Sequence, residues 1–187
     1  MVPFNSSEDS TAVLSGFTIQ NGLADDVGGI YCKDGSNPSL KNLTITNNTG
    51  FVGGIHCDNN SNPSLENIAI VNNSATGNVG RGGGLRCTTN SDPSLVNVLI
   101  SGNTSSQEGG GVFITNSDPS FVNVTITGNL SSTTQGDGVF CKNNSSPNLV
   151  NTILWGNGPN ELEFSTDADS NSITISYSNI EGGQDSI

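Results

Sequence analysis

One short stretch of this chain is written five times. "SNPSLKNLTITNN" from Ser36 returns as "SNPSLENIAIVNN" from Ser61, "SDPSLVNVLISGN" from Ser91, "SDPSFVNVTITGN" from Ser117 and "SSPNLVNTILWGN" from Ser145. Ahead of each copy stands an aliphatic residue preceded by Gly, at Ile30, Ile55, Leu85, Val112 and Val139, spaced by 25, 30, 27 and 27 residues. Asn42, Asn67, Asn97, Asn123 and Asn151 keep nearly the same rhythm. A period of about 20 to 50 residues signals a stacked architecture, because each unit is too small to bury its own apolar face and must lay it on a neighbour. "LSGFTIQNG" from Leu14 reads as an earlier copy and "ITISYSNIEGG" from Ile173 as a diverged later one, giving about six or seven units.

Within a unit, "GGIYC" alternates as a strand, with Ile30 and Cys32 on one side and Tyr31 on the other. "KDGSNP" is turn chemistry, with Gly35 and Asn37 tolerant of positive φ and Pro38 withholding an amide. "SLK" follows as a second strand with Leu40 inward, and "LTIT" as a third with Leu43 and Ile45 inward. Leu40 and Leu43 lie three apart, so both face one interior only if the chain bends at Asn42. Asn tolerates left-handed backbone and can hydrogen-bond along a stack of its own kind. Three such strands cannot make a sheet alone, so each must pair with its counterpart one turn on, at roughly 4.8 Å. The expectation is an all-β parallel β-helix of about six to seven coils of 25–30 residues, three short strands per coil, forming one domain over residues 1–187. Leu40/Leu65/Leu95/Phe121/Leu149 and Ile45/Ile70/Ile100/Ile126/Leu154 are its interior ladders, and the segment after the third strand is a loop of variable length.

Composition narrows the partners. Five Lys+Arg against 17 Asp+Glu leave a formal charge of -12, which repels phosphate backbones and anionic membrane surfaces, so nucleic acid is not an expected partner. No stretch approaches the roughly 18 apolar residues of a membrane span, and "MVPFNSSEDS" has neither the basic nor the apolar part of a signal peptide. Membrane insertion is not expected.

The "GGI", "GGL" and "GGV" steps, the "NPSL" turns and the Asn ladder resemble the right-handed, single-stranded parallel β-helix repeats of secreted and surface bacterial proteins, a fold shared with the pectate-lyase-like superfamily. The resemblance runs from Gly28 to Ile180. It implies a secreted or cell-surface location, and its ending looks like the last coils before an anchoring or sorting region. With no obvious polar cap at either end, the chain reads as a fragment of something longer. Enzymes of that superfamily would place a basic residue and Ca²⁺-binding carboxylates on the outer face of strand one. Here that face reads Tyr31, His56, Arg86, Phe113 and Phe140, with Lys33, Asp58, Thr88, Thr115 and Lys142 two positions along. No Asp ladder stands there, so no catalytic residue, metal ligand or cofactor is assigned.

Other features read as structure. Cys32, Cys57, Cys87 and Cys141 share one repeat position with Ile114, which marks an apolar packing role. A disulfide between Cys32 and Cys57 or between Cys57 and Cys87 is sterically conceivable, since stacked coils bring Cα atoms within about 5 Å. His56, the only histidine, alternates outward and reads as an exposed bystander. Asp92 and Asp118 interchange with Asn37 and Asn62 and so mark turns rather than acid chemistry. Trp155 is either a sugar-stacking platform or a cover for the end of the stack.

The expected function is a non-catalytic secreted or cell-surface segment, a rigid adhesive or structural module with a polysaccharide or cell-surface glycan as candidate partner. The candidate ligand strip is Tyr31, His56, Arg86, Phe113 and Phe140, about 4.8 Å apart up the stack, with loops 74–81 and 130–135 as walls. The alternative is a polysaccharide lyase or hydrolase, which requires two or more carboxylates with a Lys or Arg in one groove.

Overall fold

The computed structural model describes residues 1–133, 135–166 and 170–182. Seven coils stack in parallel, each beginning with a strand of one seven-stranded sheet, here sheet 1: Val2–Phe4, Ile30–Cys32, Ile55–Cys57, Leu85–Thr88, Val112–Thr115, Val139–Lys142 and Leu162–Phe164. Five of these are the Gly-preceded positions; Val2 and Leu162 extend the ladder although Met1 and Glu161 stand where the other coils have Gly.

The expected second and third strands belong to one eleven-stranded sheet, sheet 2, folded along a line. In three central coils they are continuous, as Ser64–Val71, Ser94–Ser101 and Ser120–Thr127. The fold line is the Asn ladder: Asn42, Asn67, Asn97, Asn123 and Asn151 have φ of 52°, 56°, 57°, 55° and 50°. Asn67 Nδ2 donates to Asn42 Oδ1 at 3.4 Å, and the next three steps repeat the bond at 3.1, 3.2 and 3.2 Å. The left-handed residue breaks the alternation, so Leu95, Val98 and Ile100 all point inward.

A third sheet stands where a loop was expected. Thr49–Gly50, Ser74–Ala75, Thr104–Ser105 and Leu130–Ser131 form a four-stranded parallel ladder, sheet 3. Two-residue strands carry no alternation to read.

The interior is made of aliphatic ladders in register. Ile30, Ile55, Leu85, Val112 and Val139 line sheet 1, and Leu40, Leu65, Leu95, Phe121 and Leu149 line sheet 2, all at or below 1% exposure. The four cysteines are buried and unbridged in this ladder, beside Ile114. Burial holds the Cys141 thiol well above its ordinary pKa, and hydrogen bonding to Cys57 together with burial does the same for Cys32, so these thiols pack as protonated groups.

A second, buried Asn ladder joins sheets 2 and 3. Asn103 Oδ1 accepts from the backbone N–H of Asn73 at 2.9 Å and from its Nδ2 at 3.0 Å. Asn103 Nδ2 donates to the Ile70 carbonyl at 2.9 Å and to Asn129 Oδ1 at 3.0 Å. Asn73 and Asn129 repeat the pattern, so two donors and two acceptor lone pairs per amide are used, and Asn48 begins it with two donations and one bond accepted from the Gly22 N–H. At Asn157 the next amide is replaced by the Glu161 carboxylate, which accepts from both Asn157 N–H and Nδ2. Sheet 3 ends at a carboxylate too: Asp137, fully buried, accepts from Ser131 N–H at 2.7 Å and Asn160 N–H at 3.2 Å.

The Gly pair before Ile30, Ile55, Leu85 and Val112 follows from the same closeness. A Cβ on Gly84 would lie 2.8 Å from the Gly111 carbonyl oxygen and from Ile100 Cγ2, and 2.9 Å from Asn103 Nδ2. On the turn side, buried Ser side chains accept the N–H of the preceding coil's Ser, as Ser61 Oγ does from Ser36 at 3.1 Å. Asp118 N–H donates to Asp92 Oδ1 and Ser146 N–H to Asp118 Oδ1, each at 2.6 Å, matching the Asn62-to-Asn37 step. Asp92 and Asp118 are thus turn residues.

The inward assignment makes a sharp test. Ile100 is 0% exposed, and an uncompensated charge there costs on the order of 3–5 kcal/mol. Ile100→Asp should abolish cooperative folding, whereas Thr104→Ala, at an exposed residue in sheet 3, should leave the melting temperature within a few degrees of wild type. Equal melting temperatures for the two variants would refute the register.

Candidate functional site

Backbone pairing brings the expected strip into register. Tyr31 pairs with His56, His56 with Arg86, Arg86 with Phe113 and Phe113 with Phe140, all on the outer side of sheet 1. Glu163 extends the row past Phe140, a continuation hidden in the sequence because the last strand lacks its Gly pair.

The row is not a continuous exposed strip. Phe113 and Phe140 are 1% and 4% exposed, and His56 is 7% exposed. In three successive coils the chain leaving sheet 3 folds back over sheet 1 through left-handed Gly82, Gly109 and Gly136, with φ of 67°, 67° and 58°. A Cβ on Gly109 would approach Phe113 Cβ to 2.8 Å, and one on Gly136 would approach Phe140 Cβ to 2.6 Å, so these turns lie against the base of both side chains. The segments expected to wall a groove roof it instead. Cations complete the roof, with Arg81, Arg86 and Lys142 at 5.7, 5.5 and 5.6 Å from the Phe113 ring centre.

His56 is likewise not a bystander. Its ring stacks on Tyr31 with centroids 4.9 Å apart and planes 3° from parallel, and Arg86 follows it on the next coil. Thr88 Oγ1 donates its proton to Asp58 Oδ1 at 2.6 Å, so His56 Nε2, 3.1 Å from Thr88 Oγ1, is the protonated nitrogen and donates to the hydroxyl. This leaves Nδ1 as a buried acceptor with no partner. Burial first, and the Arg86 charge second, hold the His56 pKa down to about 3. Tyr31 Oη donates to Asp58 Oδ2 at 3.4 Å, and burial together with the Asp58 and Asp26 carboxylates pushes the phenol up to about 12.

The charges are distributed unevenly. Four of the five Lys and Arg residues, Lys33, Arg81, Arg86 and Lys142, lie on this one side. Arg81 is ion-paired with Glu108. Arg86 makes no ion pair among the described residues; its Nε is buried without a partner, and burial lowers its pKa. Beside Phe140 opens a cleft of about 210 Å³ lined by Glu108, Gln135, Lys142, Glu163, Phe164 and Ser165 among others. Burial alone would raise the Glu108 carboxyl, but the Arg81 hydrogen bond, a backbone hydrogen bond and the Arg81 and Lys142 charges together outweigh it and hold Glu108 below its usual pKa. Glu163 Oε2 accepts the Gly136 N–H at 2.8 Å. A wider cleft of about 280 Å³ on the turn side is lined by Asn90, Asp92, Asn116, Asp118 and neighbours already committed to turn bonds. Trp155 is 48% exposed on the outer side of sheet 2, on a strand with one further strand, Asn179–Ile180, beyond it.

A family model described as "Right handed beta helix region" matches residues 4–134, well over half of the chain. The chain belongs to this family. Its solenoid is right-handed, as the parallel coils and the family together require. No curated protein and no solved structure matches the chain.

The His56 environment fixes a pH response. Its folded pKa lies below the ordinary value of about 6.5, so its contribution to stability is complete above that pH and is lost as pH falls toward about 3. Ring nitrogen shifts should show a neutral Nε2–H tautomer at pH 5. A ring that titrates between pH 6 and 7 would contradict the buried stack.

Proposed function

We propose that this β-helix is a non-catalytic, rigid binding module of a secreted or surface-displayed protein, holding an acidic glycan against the outer side of sheet 1. One observation carries the reading: in a chain of net charge -12, four of five cations gather there, and the Arg86 guanidinium makes no ion pair among the described residues, with Asp58 and Asp26 acting on it only at a distance. A guanidinium presents a planar fork of donors suited to carboxylate or sulfate. The surrounding acidity does not forbid this, because exposed charges are screened beyond about 8 Å at physiological salt. The strip changes role accordingly. Phe113, backed by the Phe140 ring, anchors the cations from beneath instead of stacking on sugar, while Tyr31, partly exposed, remains available for ring contact. Lys142 at the 210 Å³ cleft offers a second point of attachment.

The enzymatic reading is favoured by one feature, the joint presence of Glu108, Glu163 and Lys142 in that cleft. Glycoside cleavage needs one carboxyl kept protonated as general acid. Glu108 is held ionised by Arg81, and Glu163 is tied to a backbone N–H. The binding reading therefore stands first.

Titration with polygalacturonate and a sulfated glycan, against a neutral glucan, separates the two. Acidic glycan should bind, weaken with salt, and bind at least about tenfold more weakly to Arg86→Gln and Lys142→Gln, a change of about 1.4 kcal/mol, at unchanged melting temperature. Preference for the neutral glucan would overturn the binding reading. Release of reducing ends that is abolished by Glu163→Gln would establish the enzyme.

A further inference from the structure

Sheet 2 presents an outer face unlike the rest of the molecule. Across its eleven strands only Lys41 and Glu66 are charged, and they pair with each other at 3.3 Å. The whole net charge of -12 therefore lies elsewhere. On this face Val96, Leu99, Ile153 and Trp155 are 36%, 39%, 44% and 48% exposed. The exposed Asn ladder runs between them with amide hydrogen-bonding capacity left over, since each step uses one donor and one lone pair. At its last coil the ladder ends in Tyr177, 89% exposed with φ of 52°, a left-handed position that the earlier coils give to Gly16 or Asn. An aromatic residue adopts that backbone at a cost and gains no burial here to offset it.

We infer that the outer face of sheet 2 is a self-association surface on which a second copy of this chain docks. Two arguments select that occupant. Two copies of so acidic a chain repel wherever their charged surfaces approach, and sheet 2 is the broad face on which they can meet with no net charge opposed. The face is also large enough. Seven coils at about 4.8 Å and eight-residue strands at about 3.3 Å per residue give at most roughly 890 Å² per copy, hence up to about 1,800 Å² in all, within the range of about 1,200–2,000 Å² typical of specific interfaces. A two-fold arrangement sets the same patch against itself, with Leu99 and Val96 near the middle and the Asn amides free to bond across.

Sedimentation equilibrium over the micromolar range tests this. The wild-type chain should be dimeric. Leu99→Glu should weaken association at least about a hundredfold, or about 2.8 kcal/mol, at an unchanged melting temperature. Mixing Leu99→Glu with Leu99→Lys should restore the dimer, which loss of fold would not allow. A wild-type chain that is monomeric throughout the range would overturn the inference. So would association that survives Leu99→Glu but is lost on Phe164→Glu at the end of the stack, or a monomer that binds a neutral glucan through Leu99 and Trp155.

Discussion

The buried amide ladder from Asn48 to Asn157 is the constraint on which the remaining structure depends. From Asn73 onward each amide uses its full hydrogen-bonding capacity, and the three residues bonded by Asn103, namely Ile70, Asn73 and Asn129, all lie in neighbouring coils. In a water-free interior an unmatched amide costs about 1–3 kcal/mol for the groups left unpaired. A slip of one residue in any coil would therefore break bonds above and below it, besides turning aliphatic side chains outward. The ladder also explains why Gly83 and Gly84 precede the strand: side chains there would occupy space held by the amide, by Ile100 and by the next coil's backbone. The last donors of the ladder, the Asn157 N–H and Nδ2, end on the Glu161 carboxylate, whose pKa burial raises.

With the interior so fixed, variation is confined to the outside. Sheet 1 carries the cations and the arms that roof its aromatic rings, sheet 2 is neutral, and the turns are held by side chains that copy one bond from coil to coil. The 25-residue coil leading to Ile55 has no room for the long arm of the 30-residue coil leading to Leu85, so Arg81 belongs only to the latter. Site chemistry thus depends on arm length as much as on the strand residues themselves.

Much of this was legible from the repeat. The period gave the coils, the three-residue step from Leu40 to Leu43 gave the bend at Asn42, and the Cys-to-Ile exchange gave an interior position. Sheet 3 was not legible, because Thr104–Ser105 and its counterparts are too short to alternate. Nor was the burial of His56, Phe113 and Phe140. Alternation states which side of a strand a residue takes, but not whether another segment lies across that side. The signal was present in Gly82, Gly109 and Gly136, which stand three residues before Leu85, Val112 and Val139 and take the left-handed backbone that turns the arm inward. The buried amide ladder had a signal as well, in the second Asn of "TNN" and the Asn of "SGN", "TGN" and "WGN".

The most direct test of the ladder is hydrogen exchange at the side-chain amides themselves. The Nδ2 protons of Asn73, Asn103 and Asn129 should exchange as slowly as the backbone amides of the central strands, while those of Asn67, Asn97 and Asn123, on the exposed ladder, should exchange at rates near those of a free peptide. Fast exchange at Asn103, equal to that at Asn97, would contradict a closed amide ladder and the coil register built on it.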